Sequence, residues 1–285
     1  MQFCIPKTVA AASLLLSSAA LALGGCAPSP VHLDPLNVNG RDGGGPPLSY
    51  SALMRIAEAA RHAGDFANAV GLYRRAAQLA PRDPAPFAAL GEALLAMGKT
   101  DEAILADNSA LARDPKNLTA LKSLAKAYLM TGRPELALAP ANRALALEPE
   151  NPKLLLLLAV AKDHTGQHLE AQAIYRRARL IAPADAAVAT DLALSLALSG
   201  DYEAAIAVLQ PMATAPAATA RERQTLALIY GLSGDQAEAA RLGRIDLDEA
   251  AVEHNLAYFD TLRGLSPEAR DRAILSLGNG GGGAS

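Results

Sequence analysis

The 285-residue sequence contains only two cysteines, no tryptophan and 4% aromatic residues. Two cysteines are too few for a disulfide framework or a thiolate zinc site. The scarcity of aromatic residues, beside a hydrophobic share of 51% rich in alanine, favours closely packed helices over a β-sandwich. The net charge of −3 leaves no basic stripe for nucleic acid, so we expect no nucleic-acid partner.

Catalytic motifs are also lacking. The sequence has no P-loop, no nucleophile elbow and no paired carboxylate site. His164 and His168 stand four residues apart, which on one helix would suit a metal, but Gly166 between them predicts a helix break and two exposed turn histidines. We therefore predict no enzyme, no metal, no cofactor and no small-molecule substrate. The alternative class is an enzyme or its regulatory subunit, in which replacing one polar residue would abolish activity and leave binding intact.

Small residues, by contrast, recur with a strict period. Six glycines stand 34 residues apart, each with a small residue seven positions before it and an alanine five positions after it: Gly64, Gly98, Gly132, Gly166, Gly200 and Gly234. A 34-residue period predicts a solenoid of helix–turn–helix repeats. Glycine at the turn predicts that each first helix ends in a left-handed residue.

The residues in phase with these glycines carry a family pattern. The second repeat, 84–117, shows Phe87, Leu90-Gly91, Gly98, Ala103, Ala110 and Pro115, and the third, 118–151, shows Leu121, Leu124-Ala125, Tyr128, Gly132, Ala137, Ala144 and Pro149. Both resemble the tetratricopeptide repeat. The resemblance implies an all-α fold, a right-handed α-α superhelical solenoid of about six repeats with C-terminal capping helices. Asp107 departs from the pattern, which has an aromatic or large residue at that position.

The first 25 residues are typical of a lipoprotein signal peptide. An apolar run from Val9 to Leu23 leads into Leu23-Gly24-Gly25-Cys26, which resembles the lipobox of bacterial lipoproteins. The resemblance implies cleavage before Cys26 and lipidation of its thiol. An ordinary signal peptide with an incidental cysteine is the alternative. Ala27, where aspartate favours inner-membrane retention, points to the periplasmic side of the outer membrane.

Composition predicts the remaining boundaries. The lipidated Cys26 opens a flexible Pro/Gly-rich tether over 26–49, because few large apolar residues occur there. Six repeats follow over 50–247, the last degenerate. Capping helices are predicted over 248–277, and a disordered low-complexity tail over 278–285.

The inner surface of this fold is the candidate partner site. Its predicted positions are charged in repeats one to three and apolar in repeats four to six, which suits an amphipathic helix. The predicted groove residues are Lys122, Lys126, Leu156, Val160, Thr190, Leu194, Gln224 and Leu228. The alternative is that the C-terminal helices fold back and fill the groove themselves.

The C-terminal sequence points to a partner. The stretches Leu247-Asp248-Glu249-Ala250, Asn255-Leu256-Ala257-Tyr258-Phe259 and Leu262-Arg263-Gly264-Leu265 resemble the end of the tetratricopeptide lipoprotein of the Tad (Flp) pilus. The resemblance implies a pilotin-like assembly factor whose protein partner is the outer-membrane secretin of that pilus. Another repeat lipoprotein, such as a type IV pilus pilotin or an accessory factor for outer-membrane or cell-wall assembly, is the alternative.

Overall fold

The structure is a computed structural model that describes residues 48–279. Within this range it contains fourteen α-helices and no strand, which confirms the predicted all-α fold. The signal peptide, Cys26 and most of the predicted tether lie outside the described residues, as do residues 280–285. No helix in the described part of the chain is long and apolar enough to cross a membrane.

Twelve helices form six helix–turn–helix repeats. Short turns make each helix an antiparallel neighbour of the next, and every consecutive pair is in contact. The helices are α1 Tyr50–His62, α2 Phe66–Leu79, α3 Ala85–Ala96, α4 Thr100–Leu111, α5 Leu118–Met130, α6 Pro134–Leu147, α7 Pro152–His164, α8 His168–Ile181, α9 Ala186–Leu198, α10 Tyr202–Ala213, α11 Ala220–Ser233 and α12 Gln236–Asp246.

The glycine of each repeat makes the turn between its two helices. All six have a positive φ, between 66° and 96°, where a Cβ would clash with the following carbonyl. In repeat three, the Gly132 amide donates to the carbonyl of Leu129 at 3.0 Å, and the Arg133 amide donates to that of Tyr128 at 2.8 Å. These bonds satisfy carbonyls that the helix end would otherwise leave without donors. The 34-residue glycine period therefore sets where each first helix ends.

The spacing of small residues that recurs in all six repeats reflects contacts between helices. The alanine five residues after each glycine is buried in all six repeats, and Ala103 and Ala137 are 0% exposed. The small residue seven positions before each glycine is buried as well, including Ala125 at 0%. A larger side chain at either place would push two helices apart, because protein interiors are close-packed.

Overpacking one of these sites tests the repeat register. We expect Ala137→Leu to lower the free energy of unfolding by about 1–3 kcal/mol, since extra methylenes in a packed core force side chains and backbone to shift. Ala139→Leu makes the same change at an exposed position of the same helix, α6, and should have little effect. Urea unfolding followed by circular dichroism measures both. Equal losses in the two variants would contradict the register.

Arginines on the second helices link successive repeats. Arg143 on α6 donates to the carbonyl of Pro115, and Arg177 on α8 donates to the carbonyl of Pro149, each 28 residues earlier in the chain. Each bond joins the second helix of one repeat to the loop that ends the preceding repeat. These side chains therefore have a structural contact on the outer layer of the solenoid.

Two more helices cap the last repeat, α13 Glu249–Arg263 and α14 Pro267–Asn279. The Asp248 carboxylate accepts from the Ala251 amide at 2.8 Å at the start of α13. Ser266 Oγ accepts from the Ala269 amide at 3.3 Å at the start of α14. Helix α14 runs two residues into the segment predicted to be a disordered tail, because a capped helix propagates at little cost once it is nucleated.

Candidate protein-binding groove

The first helices of the repeats form the inner layer of the solenoid. Helix α3 contacts α5, α5 contacts α7, α7 contacts α9 and α9 contacts α11, in addition to their own second helices. The side on which neighbouring repeats approach most closely is the concave side, which solenoid proteins use as an extended binding surface. We call this surface the groove. It has an open part in repeats one to three and a covered part in repeats four to six.

The open part of the groove is a cleft of about 290 Å³ with four charged residues in its lining. Lys122 and Lys126 lie one turn apart on α5 and so share a face. Neither forms an ion pair with any residue between 48 and 279. The full lining is Arg61, Phe66, Glu92, Leu95, Ala96, Lys122, Ser123 and Lys126. The two lysines can therefore pair with acidic side chains of a partner, as the sequence predicted for this end of the groove.

Beneath this cleft lies a buried carboxyl group. Asp107 on α4 is 0% exposed, and neighbouring Ser123 is 2% exposed. Neither carboxyl oxygen of Asp107, nor Ser123 Oγ, has a hydrogen-bond partner among the described residues. Gly91 makes the room, because a Cβ there would lie 2.0 Å from Asp107 Oδ1. Burial raises the pKa of Asp107 to about 8; the neighbouring Ser123 hydroxyl opposes this shift, and the charge of Glu92 adds to it.

The buried carboxyl predicts an unusual dependence of stability on pH. An unfolded aspartate loses its proton near pH 4, whereas folded Asp107 keeps its proton up to about pH 8. Between these values the folded state binds more protons, so stability falls as pH rises, by up to about 1.4 kcal/mol per unit. We expect Asp107→Asn to flatten this decline, measured by urea unfolding at pH 5, 6.5 and 8.

An exposed aspartate on the same helix provides the control. The Asp101 side chain is 84% exposed, and Asp101→Asn should leave the pH dependence of wild type unchanged. Identical pH profiles for wild type and Asp107→Asn would show that the carboxyl group is not buried in the folded protein.

The covered part of the groove is occupied by α14. Ile274 on α14 is 2% exposed and joins a cluster with Leu198, Leu228 and Phe259, against which Leu194 packs. Val160 and Leu194 face Ile274 and Leu275 across a cleft of about 180 Å³. The structure therefore shows the arrangement that the sequence left as the alternative, in which a C-terminal helix folds back over the apolar end.

Two predicted groove residues are not available to a partner, because Thr190 is 3% exposed and Leu228 is 6% exposed. Leu228 belongs to the cluster that includes Phe259 of α13 and Ile274 of α14. Gln224 is half-buried and donates to Asp246 on α12 at 3.3 Å. Leu156 and Val160 are partly buried against the core of repeats four to six. Of the predicted set, Lys122 and Lys126 lie in the open cleft.

The prediction of two exposed turn histidines is wrong, because His164 is the half-buried last residue of α7 and His168 is largely buried. Gly166 does break the helix, with α7 ending at His164 and α8 beginning at His168. The His168 side chain is only 13% exposed, with Nδ1 2.9 Å from Asp163 Oδ1 and Nε2 3.1 Å from Asp271 Oδ2 on α14. The hydrogen bond to Asp163 is the main cause that raises the pKa of His168, and both aspartates add to it.

Sequence reasoning missed this site because its parts lie far apart in the chain. Asp271 is 103 residues from His168, and only the return of α14 brings them together. Asp163 also accepts from Ser195 Oγ on α9 at 2.7 Å. The carboxylate thus ties α7, α8 and α9 together beneath the C-terminal helix.

The comparisons with known proteins agree with this geometry. Tetratricopeptide-repeat family models match residues 60–106 and 88–152. No curated protein matches the sequence. Residues 60–152 therefore match the tetratricopeptide repeat, and the described residues have the helical solenoid fold of tetratricopeptide-repeat proteins.

Solved structures share the fold at low sequence identity. A tetratricopeptide repeat protein from Parabacteroides merdae is 18% identical, with a TM-score of 0.59 over 75% of this chain and 85% of that chain. PilF of Pseudomonas aeruginosa is 19% identical, with a TM-score of 0.60 over 73% of this chain and 97% of that chain. MamA from Desulfovibrio magneticus is 19% identical, with a TM-score of 0.54 over 57% and 92%. At these identities the likeness shows the fold alone.

Proposed function

We propose that the protein is a scaffold, lipid-anchored through Cys26 to the periplasmic side of the outer membrane, that binds the secretin of a Tad (Flp) pilus and assists its assembly. The observation that carries the binding role is the open charged cleft on the inner face of repeats one to three. Tetratricopeptide repeats generally act by binding other proteins, and their concave face is the surface that does so.

The charge of the open cleft indicates what the partner segment carries. Lys122 and Lys126 have no ion-pair partner between residues 48 and 279, and Leu95 on α3 adds an apolar side chain to the lining of the same cleft. An amphipathic helix with acidic residues beside an aliphatic face fits such a surface. The partner segment is therefore acidic on the side that meets α5.

The proposed lipid anchor and the proposed secretin partner are supported by features of the amino-acid sequence. The lipobox Leu23-Gly24-Gly25-Cys26 supports lipidation, and Ala27 supports the outer membrane. The likeness of residues 247–265 to the end of the Tad pilus lipoprotein supports the secretin as partner. A type IV pilus secretin, or an assembly factor of the outer membrane or cell wall, would use the same surface.

Affinity purification of the detergent-solubilised protein from cell envelopes tests the proposal. We expect the Tad secretin to co-purify with wild type. The double variant Lys122→Glu and Lys126→Glu should retain several-fold less secretin, because it turns attraction into repulsion at the cleft. The loss should be larger at low salt than at high salt, since exposed charges are screened.

An arginine on the outer layer supplies a matched control. Arg176 on α8 is exposed, and Arg176→Glu makes the same kind of charge change away from the groove. This variant should retain the secretin as wild type does. Recovery of a different envelope protein, lost in the lysine double variant and kept in Arg176→Glu, would replace the secretin as the partner and leave the groove as the site.

A further inference from the structure

Helix α14 is held in the groove by few contacts. A three-residue link, Gly264 to Ser266, joins it to α13. Among its described side chains, those of 267–276, Ile274 is the one that is buried. Its polar contacts are Asp271 with His168, and Arg270 Nη1 with the Tyr202 hydroxyl at 3.3 Å. The helix is therefore attached through one buried apolar anchor, Ile274, with the partly buried Ala273 and Leu275 beside it, and through two polar contacts.

These contacts do not satisfy all of the buried polar atoms of α14. Arg270 Nε and Asp271 Oδ1 are buried without a hydrogen-bond partner among the described residues. A buried polar atom that lacks a partner is costly, because it has lost its water without replacement. A helix whose side chains satisfied the same surface more fully would bind it better than α14 does.

The contacts of α14 also indicate which kind of helix the covered part of the groove can bind. Asp271 and Ile274 are three residues apart and lie on one helix face. The Asp271 carboxylate contacts His168, and the Ile274 side chain packs beside Leu194 and Leu198. With both ring nitrogens facing carboxylates, His168 serves best as the imidazolium, which can donate from both. The site thus accepts a helix that carries an acid one turn before an aliphatic residue.

We propose that α14 is a removable internal ligand of repeats four to six, displaced by a partner helix that carries an acidic residue three positions before an isoleucine or leucine. Displacement would join the covered apolar part of the groove to the open charged part, giving one continuous surface. The identity of the displacing helix rests on the proposed function, whereas the removable character of α14 rests on this chain alone.

A fluorescent peptide of residues 266–279 is the probe, added to the full chain. In wild type the attached α14 competes at the high effective concentration that a short link provides. We expect the peptide to bind the full-chain variant Ile274→Asp at least tenfold more tightly than wild type, because this variant releases its own helix. Anisotropy measures the affinity, and circular dichroism checks that the solenoid stays folded.

Matched variants distinguish peptide binding in the groove from non-specific peptide binding. A peptide with Ile274→Asp should not bind, and adding Leu194→Asp or His168→Ala to the released chain should abolish binding of the native peptide. Asp271→Ala is a second released variant with the same expectation, for the case that Ile274→Asp does not fold. Failure of the peptide to bind either folded released chain, or equal binding with Leu194→Asp present, overturns the proposal.

The outcome is independent of the secretin. Peptide binding to the released chain, together with an envelope purification that yields no secretin, would support α14 as an internal ligand and reject the proposed partner. Secretin recovery that is unchanged in the released variant, without any peptide binding, would support the partner and reject α14 as an internal ligand.

Discussion

Replacing Cys26 with serine is expected to move the protein from the membrane fraction to the soluble periplasm, or to leave an uncleaved precursor. Each buried methylene of an acyl chain contributes about 0.8 kcal/mol, so several acyl chains on one residue give an almost permanent anchor. The serine variant has no thiol to carry them. Fractionation and intact mass of the mature chain measure the effect, and wild type should carry the added mass of acyl groups.

The second cysteine of the chain is the control. Cys4 lies in the segment predicted to be removed with the signal peptide, and Cys4→Ser should leave the mass and membrane location of the mature protein unchanged. A wild-type mature chain without acyl groups would contradict the lipoprotein assignment, and the groove proposals would then apply to a periplasmic protein without an anchor.

Replacing Phe259 with alanine is expected to lower the free energy of unfolding by about 3–5 kcal/mol, the cost of removing a buried phenylalanine from a packed core. Phe259 on α13 is 1% exposed and lies against Gly231 on α11, where an added Cβ would come within 2.2 Å of its ring. The two helices meet closely there because one residue has no side chain. Loss of the ring therefore loosens the whole C-terminal cap.

The position of Phe259 gives this variant a second effect. Its cluster includes Ile274, so α14 should detach more readily, and the peptide of residues 266–279 should bind Phe259→Ala more tightly than it binds wild type. Glu253→Ala, an exposed change on the same helix, should alter neither stability nor peptide binding. Denaturant unfolding and anisotropy measure the two quantities. A loss of less than 1 kcal/mol would contradict the packing described for this cap.

The repeat architecture could be predicted because it depends on local and periodic signals. A glycine at each turn and an alanine at each helix crossing act within one repeat, so their 34-residue spacing is visible in the sequence. Helix α13 was predictable for the same reason, since Asp248 caps it and Val252 and Phe259 lie on its buried face. Fold class follows from such signals without any long-range information.

The sequence could not show which parts of the groove are open and which are covered, because this depends on contacts between residues that are distant in the chain. Nothing in the sequence near Leu228 indicates that Ile274 of α14 returns to pack in the same cluster. His168 was expected in an exposed turn, since its partner Asp271 has no sequence relation to it. Asp107 was visible as a departure from the repeat pattern, but its burial follows only from the space that Gly91 leaves.

Site-specific photo-crosslinking in living cells tests the central claim, that the groove holds the partner. A benzophenone amino acid in place of Lys126 lies in the open cleft, and one in place of Leu105, which is 68% exposed on α4, lies on a second helix of the outer layer. We predict an ultraviolet-dependent crosslink to the secretin from position 126 and none from position 105. A crosslink from position 105 alone would place the partner on the outer layer and contradict the account.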